Sequence, residues 1–240
     1  TTPAGRYQPQ PTDVADHALD GLIVASPANP TGTMLDRVEL QALADACAAR
    51  NTAFISDEIY HGISYDKDAV TALQVTDDVY VINSFSKFFS MTGWRVGWMI
   101  VPVDYVRRVE RLAQNMFNCP SHASQVLALA AFDCTDEPDS HLDVYATNRD
   151  LLMVGFVAAG LSKFAPLDGA FYVYVDVSDY TDDAREFAAQ ILDQAGVAVT
   201  PGLDFDPVEG HKWLRLSYAR ATADIAEGVA RLQAFMKDRI

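Results

Sequence analysis

The stretch VINSFSKFFSMTGWRVGW, residues 81–98, places Lys87 directly after a strongly apolar run. This run belongs to the β-rich segment DVYVINS (78–84), which predicts a strand that ends near Ser84. A lysine at this position is either a solvated residue at the end of a strand or an amine held in a pocket for chemistry. Because most lysines are solvated, the surrounding sequence has to decide between these two interpretations.

Upstream of this stretch the sequence predicts a βαβ unit. GLIVAS (21–26) is a short apolar run followed by the turn-rich PANPTG, and TAFISDEIY (52–60) is a second β-rich segment. A helical pattern with a cap-like start at Asp36 lies between the two. Its apolar residues have the spacing of one helix face: Leu40, Leu43, Ala44 and Cys47.

Each of the three predicted strands ends in polar residues. They are Asn29 after the first strand, Asp57 and Tyr60 after the second, and Ser84, Ser86 and Lys87 after the third. Open α/β sheets bind ligands at the carboxyl ends of their strands. We therefore expect these side chains to converge, with Lys87 in a pocket rather than on the surface.

The segments after residue 94 predict a further strand and three helices. RVGWMIVP (95–102) has the pattern of a strand, Asp104 is expected to open a helix, and a mostly apolar helix is expected after Ser121. The first helix has one apolar face, formed by Tyr105, Val109, Leu112 and Met116. The acidic DCTDEPDSHLD (133–143) is the expected domain boundary, followed by a long helix to about Gly160.

Beyond this boundary the pattern changes to that of a small α+β unit. The predicted strands are AFYVYVDV (170–177), VAV (197–199) and WLRLSY (213–218), with a helix from about Thr181 to Gly196. A closing helix has its apolar residues at Ile225, Val229, Leu232 and Phe235. We predict two domains, residues 1–142 and residues 143–240.

Composition excludes several classes of function. Thirty-three acidic and 18 basic residues give a formal charge of −15, so we expect neither nucleic acid nor a membrane as a partner. The three cysteines are widely spaced and indicate neither a disulfide framework nor a zinc site, and His61 has no second ligand at a suitable spacing. No metal site is expected. The cysteine usage and the absence of a signal pattern favour a reducing cytoplasm.

Four segments together resemble the class I/II aminotransferases, the fold-type I pyridoxal phosphate enzymes. They are ASPANPTG, SDEIYHG, SFSKFFSMTGWRVGW and WLRLSYA, in the order and approximate spacing of that family. The resemblance covers the chain from about residue 20 to its C-terminus. It implies an α/β fold: part of the large cofactor-binding domain, with a mostly parallel sheet and flanking helices, and a smaller C-terminal α+β domain.

The resemblance also implies roles for the residues at the strand ends. Lys87 resembles the lysine that binds the cofactor as a Schiff base and moves a proton, and Asp57 the aspartate that pairs with the ring nitrogen. Asn29 and Tyr60 match the residues that hydrogen-bond the phenolic oxygen of the ring. The phosphate-binding positions are matched by Ser84, Ser86 and Arg95, and a guanidinium offers a bidentate fork to phosphate oxygens.

Arg215 lies inside the predicted strand WLRLSY. Alternation places Trp213, Arg215 and Ser217 on one face of this strand and Leu214, Leu216 and Tyr218 on the other. Burying an arginine in so apolar a strand is costly without a charged partner. By resemblance that partner is the α-carboxylate of the substrate. Tyr172 and Tyr174 are expected to be core or interface aromatics rather than ligand contacts.

The resemblance implies a pyridoxal phosphate-dependent aminotransferase that acts as a homodimer. We expect it to move an amino group from an α-amino acid, aspartate-like or of broad range, to a 2-oxo acid such as 2-oxoglutarate. A β-eliminating lyase on the same scaffold shares every one of these residues. A non-catalytic aminotransferase-like sensor domain is the second alternative, against which the charge of −15 weighs.

The chain departs from the family pattern at its N-terminal side. Family members carry further strands of the large sheet before the NPTG segment, together with a helix that cradles the phosphate and an aromatic residue that stacks on the ring. We therefore expect an unpaired sheet edge and an exposed apolar face in these 240 residues. We also expect the folding of this chain to depend on a partner chain or on further segments.

Overall fold

A computed structural model describes residues 2–237 and 239, and these divide into two compact units. The first unit comprises Thr1–Ala28 and Thr33–Asp139, and the second comprises Asn29–Gly32 and Ser140–Ile240. The expected boundary between residues 142 and 143 stays a prediction, since compactness alone does not show that a unit folds as a domain. Within the described residues, none of the helices has both the length and the apolar character that crossing a membrane requires.

The first unit is built on a four-stranded sheet in the order β1-β2-β3-β4. The strands are β1 (Gly21–Ala25), β2 (Ala53–Asp57), β3 (Tyr80–Ser84) and β4 (Gly97–Ile100). The first three run parallel, and β4 returns antiparallel to β3. This confirms the predicted, mostly parallel sheet.

Helix α2 (Arg37–Arg50) begins directly after Asp36, the residue predicted to cap it. A short helix, α1 (Pro11–Asp16), precedes β1. Asp36 Oδ1 accepts hydrogen bonds from the amides of Val38 and Glu39, and Glu39 Oε2 accepts one from the Asp36 amide, so the cap satisfies three free N–H groups. The predicted apolar face is buried. It packs in one core with Val24, Phe54 and Val81, which lie on one face of the sheet.

The opposite face of the same sheet is largely uncovered. The strand register places Ile23, Ile55, Asp57, Ile82 and Met99 on this face. Ile23 is 70% exposed, Met99 47% and Ile82 37%. The exposed apolar face expected from the sequence is therefore present in this chain.

Three further helices follow β4: α3 (Val106–Met116), α4 (His122–Ala131) and α5 (Asp136–Ala158). Helix α3 begins later than expected, because Asp104 lies in a short 3-10 helix, Val103–Tyr105, that leads into it. The acidic segment 133–143 is mostly the first two turns of α5 rather than a linker. Its carboxylates suit the positive end of a helix, and Pro138 is tolerated in the first turn.

The second unit contains a three-stranded antiparallel sheet in the order β5-β7-β6, with helices α6 and α7. Their bounds are β5 (Tyr172–Asp176), α6 (Ala184–Ala195), β6 (Thr200–Pro201), β7 (Trp213–Ser217) and α7 (Thr222–Met236). The predicted strand at 197–199 is wrong, because pairing with β7 begins only at Thr200. Helix α6 ends at Gly196 as predicted, with that glycine in the left-handed conformation.

Gly97 is required where β4 pairs with the end of β3. A methyl group at Gly97 would lie 2.6 Å from the carbonyl oxygen of Asn83 and 3.2 Å from Cα of Ser84. We expect Gly97→Ala to lower the free energy of unfolding by about 1–3 kcal/mol, because the two strands would have to separate. Thermal or urea unfolding measures this change.

Gly93 offers a matched control in the same connection. Among the described residues no atom would lie within 4 Å of a methyl group at Gly93. Gly93→Ala should therefore change the unfolding free energy by less than about 0.5 kcal/mol. Equal effects of the two substitutions would show that the close approach at Gly97 does not control stability.

Candidate active site

Asp57 is the last residue of β2, and Tyr60 lies in the two overlapping turns that follow it. The amide of His61 donates to the carbonyl of Glu58 at 2.9 Å, and the amide of Ile63 donates to that of Tyr60 at 2.9 Å. Asp57 is half-buried, and its Oδ1 accepts from the amide of Ile59 at 3.1 Å. The tyrosine ring is 3% exposed. Both side chains are thus held close to the carboxyl end of β2.

Lys87 lies on the turn that follows β3, beside Tyr60. Its Nζ is 5.6 Å from the centroid of the Tyr60 ring, and the side chain is half-buried. Within the part of the chain that the structure describes, Lys87 forms no ion pair with a carboxylate. A half-buried amine over an aromatic face is not the fully solvated lysine of the alternative interpretation.

Ser84 and Ser86 form a small hydroxyl cluster at the end of β3. Oγ of Ser84 accepts from the Ser86 amide at 3.0 Å and lies 2.9 Å from the Ser86 hydroxyl oxygen. It also lies 3.2 Å from the carbonyl oxygen of Val96, to which it can donate. Ser86 is buried. The cluster therefore fixes the backbone immediately before Lys87.

Arg95 lies just before β4, on the returning chain. Ser84 pairs with Gly97, and the amide of Phe85 donates to the carbonyl of Val96 at 3.2 Å, so the antiparallel register continues past the strand ends. Arg95 directly precedes Val96 and adopts a left-handed conformation with φ of 52°. Its exposed guanidinium donates to the carbonyl of Thr92 at 2.9 Å. Arg95 therefore lies on the chain that returns toward the end of β3.

In the second unit, Arg215 is held by hydrogen bonds and by two aromatic rings. Nη1 donates to Oδ1 of Asn29 at 2.9 Å, and Nη2 donates to Oγ1 of Thr200 at 3.3 Å. The guanidinium carbon lies 4.6 Å from the ring centroid of Tyr172 and 4.6 Å from that of Phe205. Its Nε is buried without a hydrogen-bond partner. The guanidinium is therefore positioned, and one of its donors is left unsatisfied.

The structure brings the predicted residues together in two groups. The first unit contains Asp57, Tyr60, Ser84, Ser86, Lys87 and Arg95, all beyond or at the ends of β2, β3 and their return strand. The second unit contains Asn29 and Arg215. The predicted alternation in β7 is confirmed, since Leu214, Leu216 and Tyr218 are buried.

Several contacts of these groups were not found from the sequence. Thr200 is opposite Arg215 in the sheet, and alternation on β6 could have indicated it once the pairing was known. Phe205 lies in an irregular segment and has no periodic signal. Tyr172 is buried as expected for a core aromatic, and its ring also packs on Arg215. Glu58, which carried no signal in the sequence, and His61, which was not expected to bind a metal, lie beside Asp57 and Tyr60 in the chain.

A cavity of about 390 Å³ lies in the second unit, and none of the predicted site residues lines it. Its walls are formed by α5, α7 and the segment after α6, and it reaches Leu216 and Ser217 of β7. Within residues 2–237 and 239 there is also no group of three or more His, Cys, Asp or Glu side chains that could hold a metal ion. The side chains whose chemistry suits catalysis or cofactor binding therefore lie at the ends of the strands, outside this cavity.

Comparison with known proteins assigns the family. The model of the class I and II aminotransferases matches residues 10–232, and this chain belongs to that family. The valine–pyruvate aminotransferase of Mycobacterium tuberculosis is 44% identical over 98% of this chain and 62% of its own length. The aspartate aminotransferase of Sulfurisphaera tokodaii is 29% identical over 90% of this chain and 56% of its own length.

Solved structures agree with this assignment and with the fold. The crystal structure of an aminotransferase from Silicibacter pomeroyi matches with a TM-score of 0.98 and 65% identity. The match covers 100% of this chain and 65% of that one. The fold-type I prediction is thereby confirmed. The chain spans less than two thirds of the length of each of these three relatives.

Family members use pyridoxal phosphate, and the donor set of the first unit fits this group. The aldehyde requires a primary amine, which Lys87 carries without an ion-pair partner among the described residues. The ring nitrogen requires a carboxylate, which Asp57 offers at the end of β2. The phosphate requires hydroxyl and guanidinium donors, and the connection between β3 and β4 carries both, at Ser84 and Ser86 and at Arg95.

Proposed function

We propose that the whole protein is a pyridoxal phosphate-dependent aminotransferase that moves an amino group from an α-amino acid to a 2-oxo acid. The observation that carries this proposal is the position of Lys87. Its amine is half-buried beside Tyr60, at the same sheet end as Asp57. Membership of the aminotransferase family supports the same conclusion independently.

When bound, pyridoxal phosphate supplies an electron-withdrawing ring that stabilises negative charge at the α-carbon of the substrate. The chain's own residues would hold this ring and handle the proton. Asp57 would keep a positive charge at the ring nitrogen, and Ser84, Ser86 and Arg95 would bind the phosphate oxygens. Tyr60 would donate its hydroxyl hydrogen to the phenolic oxygen of the ring.

Lys87 would serve both as the attachment point and as the proton carrier. Only a primary amine forms a linkage to the aldehyde that a substrate amine can displace. The same Nζ would be the group that takes up the proton from the α-carbon of the substrate and carries it during the transfer. The flat face of Tyr60 beneath Nζ limits the directions in which this amine can move.

Arg215 would bind the α-carboxylate that every amino-acid and 2-oxo-acid substrate carries. The rings of Tyr172 and Phe205 restrict its guanidinium, so little conformational entropy would be lost when a carboxylate binds. Because Oδ1 of Asn29 already accepts from Arg215, the amide nitrogen of Asn29 remains available as a donor. Its role toward the phenolic oxygen of the cofactor stays the one that the family resemblance implies.

The substrate side chain is proposed from the relatives. The valine–pyruvate aminotransferase shares 44% of its residues with this chain over the matched region, against 29% for the aspartate aminotransferase. We therefore favour a neutral aliphatic donor such as valine, with pyruvate as acceptor, over the aspartate and 2-oxoglutarate expected from the sequence. We also propose that the protein acts as a homodimer in the cytoplasm, a state that would cover some of the exposed apolar side chains.

Removing the amine of Lys87 tests the catalytic assignment. In the whole protein, Lys87→Ala should abolish the visible absorbance that appears when pyridoxal phosphate is added, because no linkage can form. Turnover should fall at least about 100-fold, since the proton carrier is also lost. Absorbance titration and a coupled transamination assay measure the two effects.

Lys67 provides the matched control for this substitution. It is an exposed lysine of the same unit, so Lys67→Ala should leave both the absorbance and the turnover unchanged. If the Lys87→Ala protein kept its absorbance and its turnover, the assignment would be wrong and Lys87 would be a surface residue without a catalytic role.

Replacing Arg215 tests the carboxylate site. Arg215→Met should raise KM for the amino-acid donor by about 10- to 100-fold, because a charge-assisted hydrogen-bonded pair is lost, while binding of pyridoxal phosphate changes little. Arg215→Lys should recover only part of the loss, since lysine lacks the bidentate fork. Steady-state kinetics at varied donor concentration give these values.

The exposed Arg185 of the same unit is the control for a lost positive charge. Arg185→Met should leave KM unchanged. An equal rise in KM for both variants would mean that net charge, and not a specific contact, attracts the substrate.

A substrate panel distinguishes the proposed reaction from its alternatives. The unsubstituted protein should convert valine and pyruvate to 2-oxoisovalerate and alanine at least about tenfold faster than it converts aspartate and 2-oxoglutarate, measured as kcat/KM. Release of pyruvate and ammonia from a cysteine-type substrate, without amino transfer, would favour the β-eliminating lyase. Cofactor binding without turnover of any pair would favour a sensor domain.

A further inference from the structure

Glu58 is a buried carboxyl group directly after Asp57, and the proposed mechanism does not use it. It is 3% exposed, and its Oε1 accepts three hydrogen bonds: from Oγ of Ser56 at 3.1 Å, from Oγ1 of Thr71 at 3.0 Å and from the amide of Ala72 at 2.8 Å. Burying a carboxyl group costs free energy unless it is hydrogen-bonded. These bonds attach the segment after β2 to the start of the short 3-10 helix Ala72–Gln74.

The other oxygen of Glu58 faces His61. Nδ1 of His61 lies 3.4 Å from Oε2 of Glu58, and Nε2 lies 3.1 Å from the carbonyl oxygen of Ser26. A carbonyl oxygen can only accept, so Nε2 must carry the hydrogen in this contact. The opposite contact becomes a hydrogen bond when one proton lies between Nδ1 and Oε2.

Ser26 is consequently bound to the same segment at two points. Its amide donates to the carbonyl of Asp57 at 3.3 Å, and its carbonyl accepts from the ring of His61. Its hydroxyl oxygen accepts from the amide of Leu35 at 2.9 Å. Ser26, the residue after β1, therefore holds Asp57 at the end of β2 and the turns that follow it.

The charges around His61 come from this same segment. Burial of the ring lowers the pKa of His61, and this effect is opposed by Glu58, by the carbonyl of Ser26 and by Asp57. The net lowering of the pKa favours the neutral imidazole, which suits its hydrogen bond to Ser26. A change at His61 would reach Asp57 through the backbone that Ser26 and His61 hold.

We propose that Glu58 and His61 are positioning residues that hold the Asp57–Tyr60 segment for the cofactor, with Glu58 anchored at Thr71 and Ala72 and His61 anchored at Ser26. This inference rests on the proposed function, because the group that Asp57 and Tyr60 receive is taken to be pyridoxal phosphate. Neither residue touches the cofactor in this proposal. Their effect is exerted through the orientation of the two residues that do.

The test compares Glu58→Ala and His61→Phe with Glu58→Gln in the whole protein. Alanine removes the contacts of the Glu58 side chain, and phenylalanine keeps a ring but loses the hydrogen bond to Ser26 and the polar contact with Glu58. We expect each to weaken binding of pyridoxal phosphate to the cofactor-free protein about tenfold, which is the loss of one or two buried hydrogen bonds. The pH midpoint of the cofactor's visible absorbance should also move by at least about 0.5 unit, since Asp57 and Tyr60 set that value.

Glu58→Gln should rescue both properties. Its side-chain oxygen can accept the three bonds that Oε1 accepts, and its amide can donate to Nδ1 of a neutral His61. We expect affinity within about threefold of the unsubstituted protein and an unshifted pH midpoint. A glutamine protein that behaves like the alanine protein would contradict the proposal, because hydrogen bonding would then not be what Glu58 contributes.

One graded variant and one control separate positioning from general stability. Thr71→Ala removes one of the three bonds to Oε1 of Glu58, so it should weaken cofactor binding and move the pH midpoint in the same direction as Glu58→Ala, but by less. His17→Phe alters an exposed histidine of the same unit and should change neither quantity. A purely structural role would be shown if Glu58→Ala and His61→Phe lowered the unfolding temperature but left the affinity and the midpoint unchanged.

Failure of the proposed function gives a different result. In that case the unsubstituted protein would develop no visible absorbance with pyridoxal phosphate, and no variant could be ranked by it. If Glu58→Ala does not fold, His61→Phe carries the comparison alone, because it leaves the three bonds to Oε1 in place.

Discussion

In the first unit, β1, β2 and β3 pair in parallel, with Ala25 opposite Asp57 and Asp57 opposite Ile82. Parallel pairing makes the chain leave all three strands at the same edge of the sheet, so segments far apart in sequence become neighbours. The ring of His61 reaches the carbonyl of Ser26 for this reason, and the amide of Glu58 reaches the carbonyl of Ile82. A slip of one residue in this register would turn the side chain of Asp57 to the other face of the sheet.

The antiparallel return of β4 adds the second constraint on this edge. Gly97 allows the backbone of β4 to approach Asn83 and Ser84 closely, and the pairing continues through Phe85 and Val96. The hydroxyl cluster lies at the end of β3, and Arg95 lies just before β4. The connection between the two strands carries Lys87, so one hairpin contains the amine and the residues that we propose to bind the phosphate.

In the second unit an arginine, Arg215, lies in the middle of a strand, and the free-energy cost of burying it has to be offset. The leucines on the opposite face of β7 pack into the core, and Arg215 shares its own face with aromatic and hydroxyl side chains. Two aromatic faces and two hydrogen bonds offset part of the desolvation cost, and the buried Nε is left without a partner. The guanidinium is thus held in place with one donor unsatisfied, which is why we propose it as the site for the substrate carboxylate.

Local interactions made much of this predictable from the sequence. The cap at Asp36, the apolar face of α2, the glycine that ends α6 and the alternation along β7 depend on residues a few positions apart, and all were found in the structure. The errors lie where distant pairing decides. The strand expected at 197–199 occurs at Thr200–Pro201 because only there does the chain meet β7. The acidic segment expected to hold the boundary is mostly helical, and the two compact units divide within it, at Asp139 and Ser140.

The candidate site shows the same contrast between features set by neighbouring residues and features set by distant contacts. Motifs in the sequence identified Lys87, Asp57 and Arg215, because the chemistry of an amine, a carboxylate and a guanidinium is carried by the residue type and its neighbours in the chain. The supporting contacts were decided only by the tertiary structure. Thr71 and Ser26 meet Glu58 and His61 across separations of 13 and 35 residues, and Phe205 meets Arg215 from an irregular segment. Such contacts depend on strand order and register, which no local pattern of residues encodes.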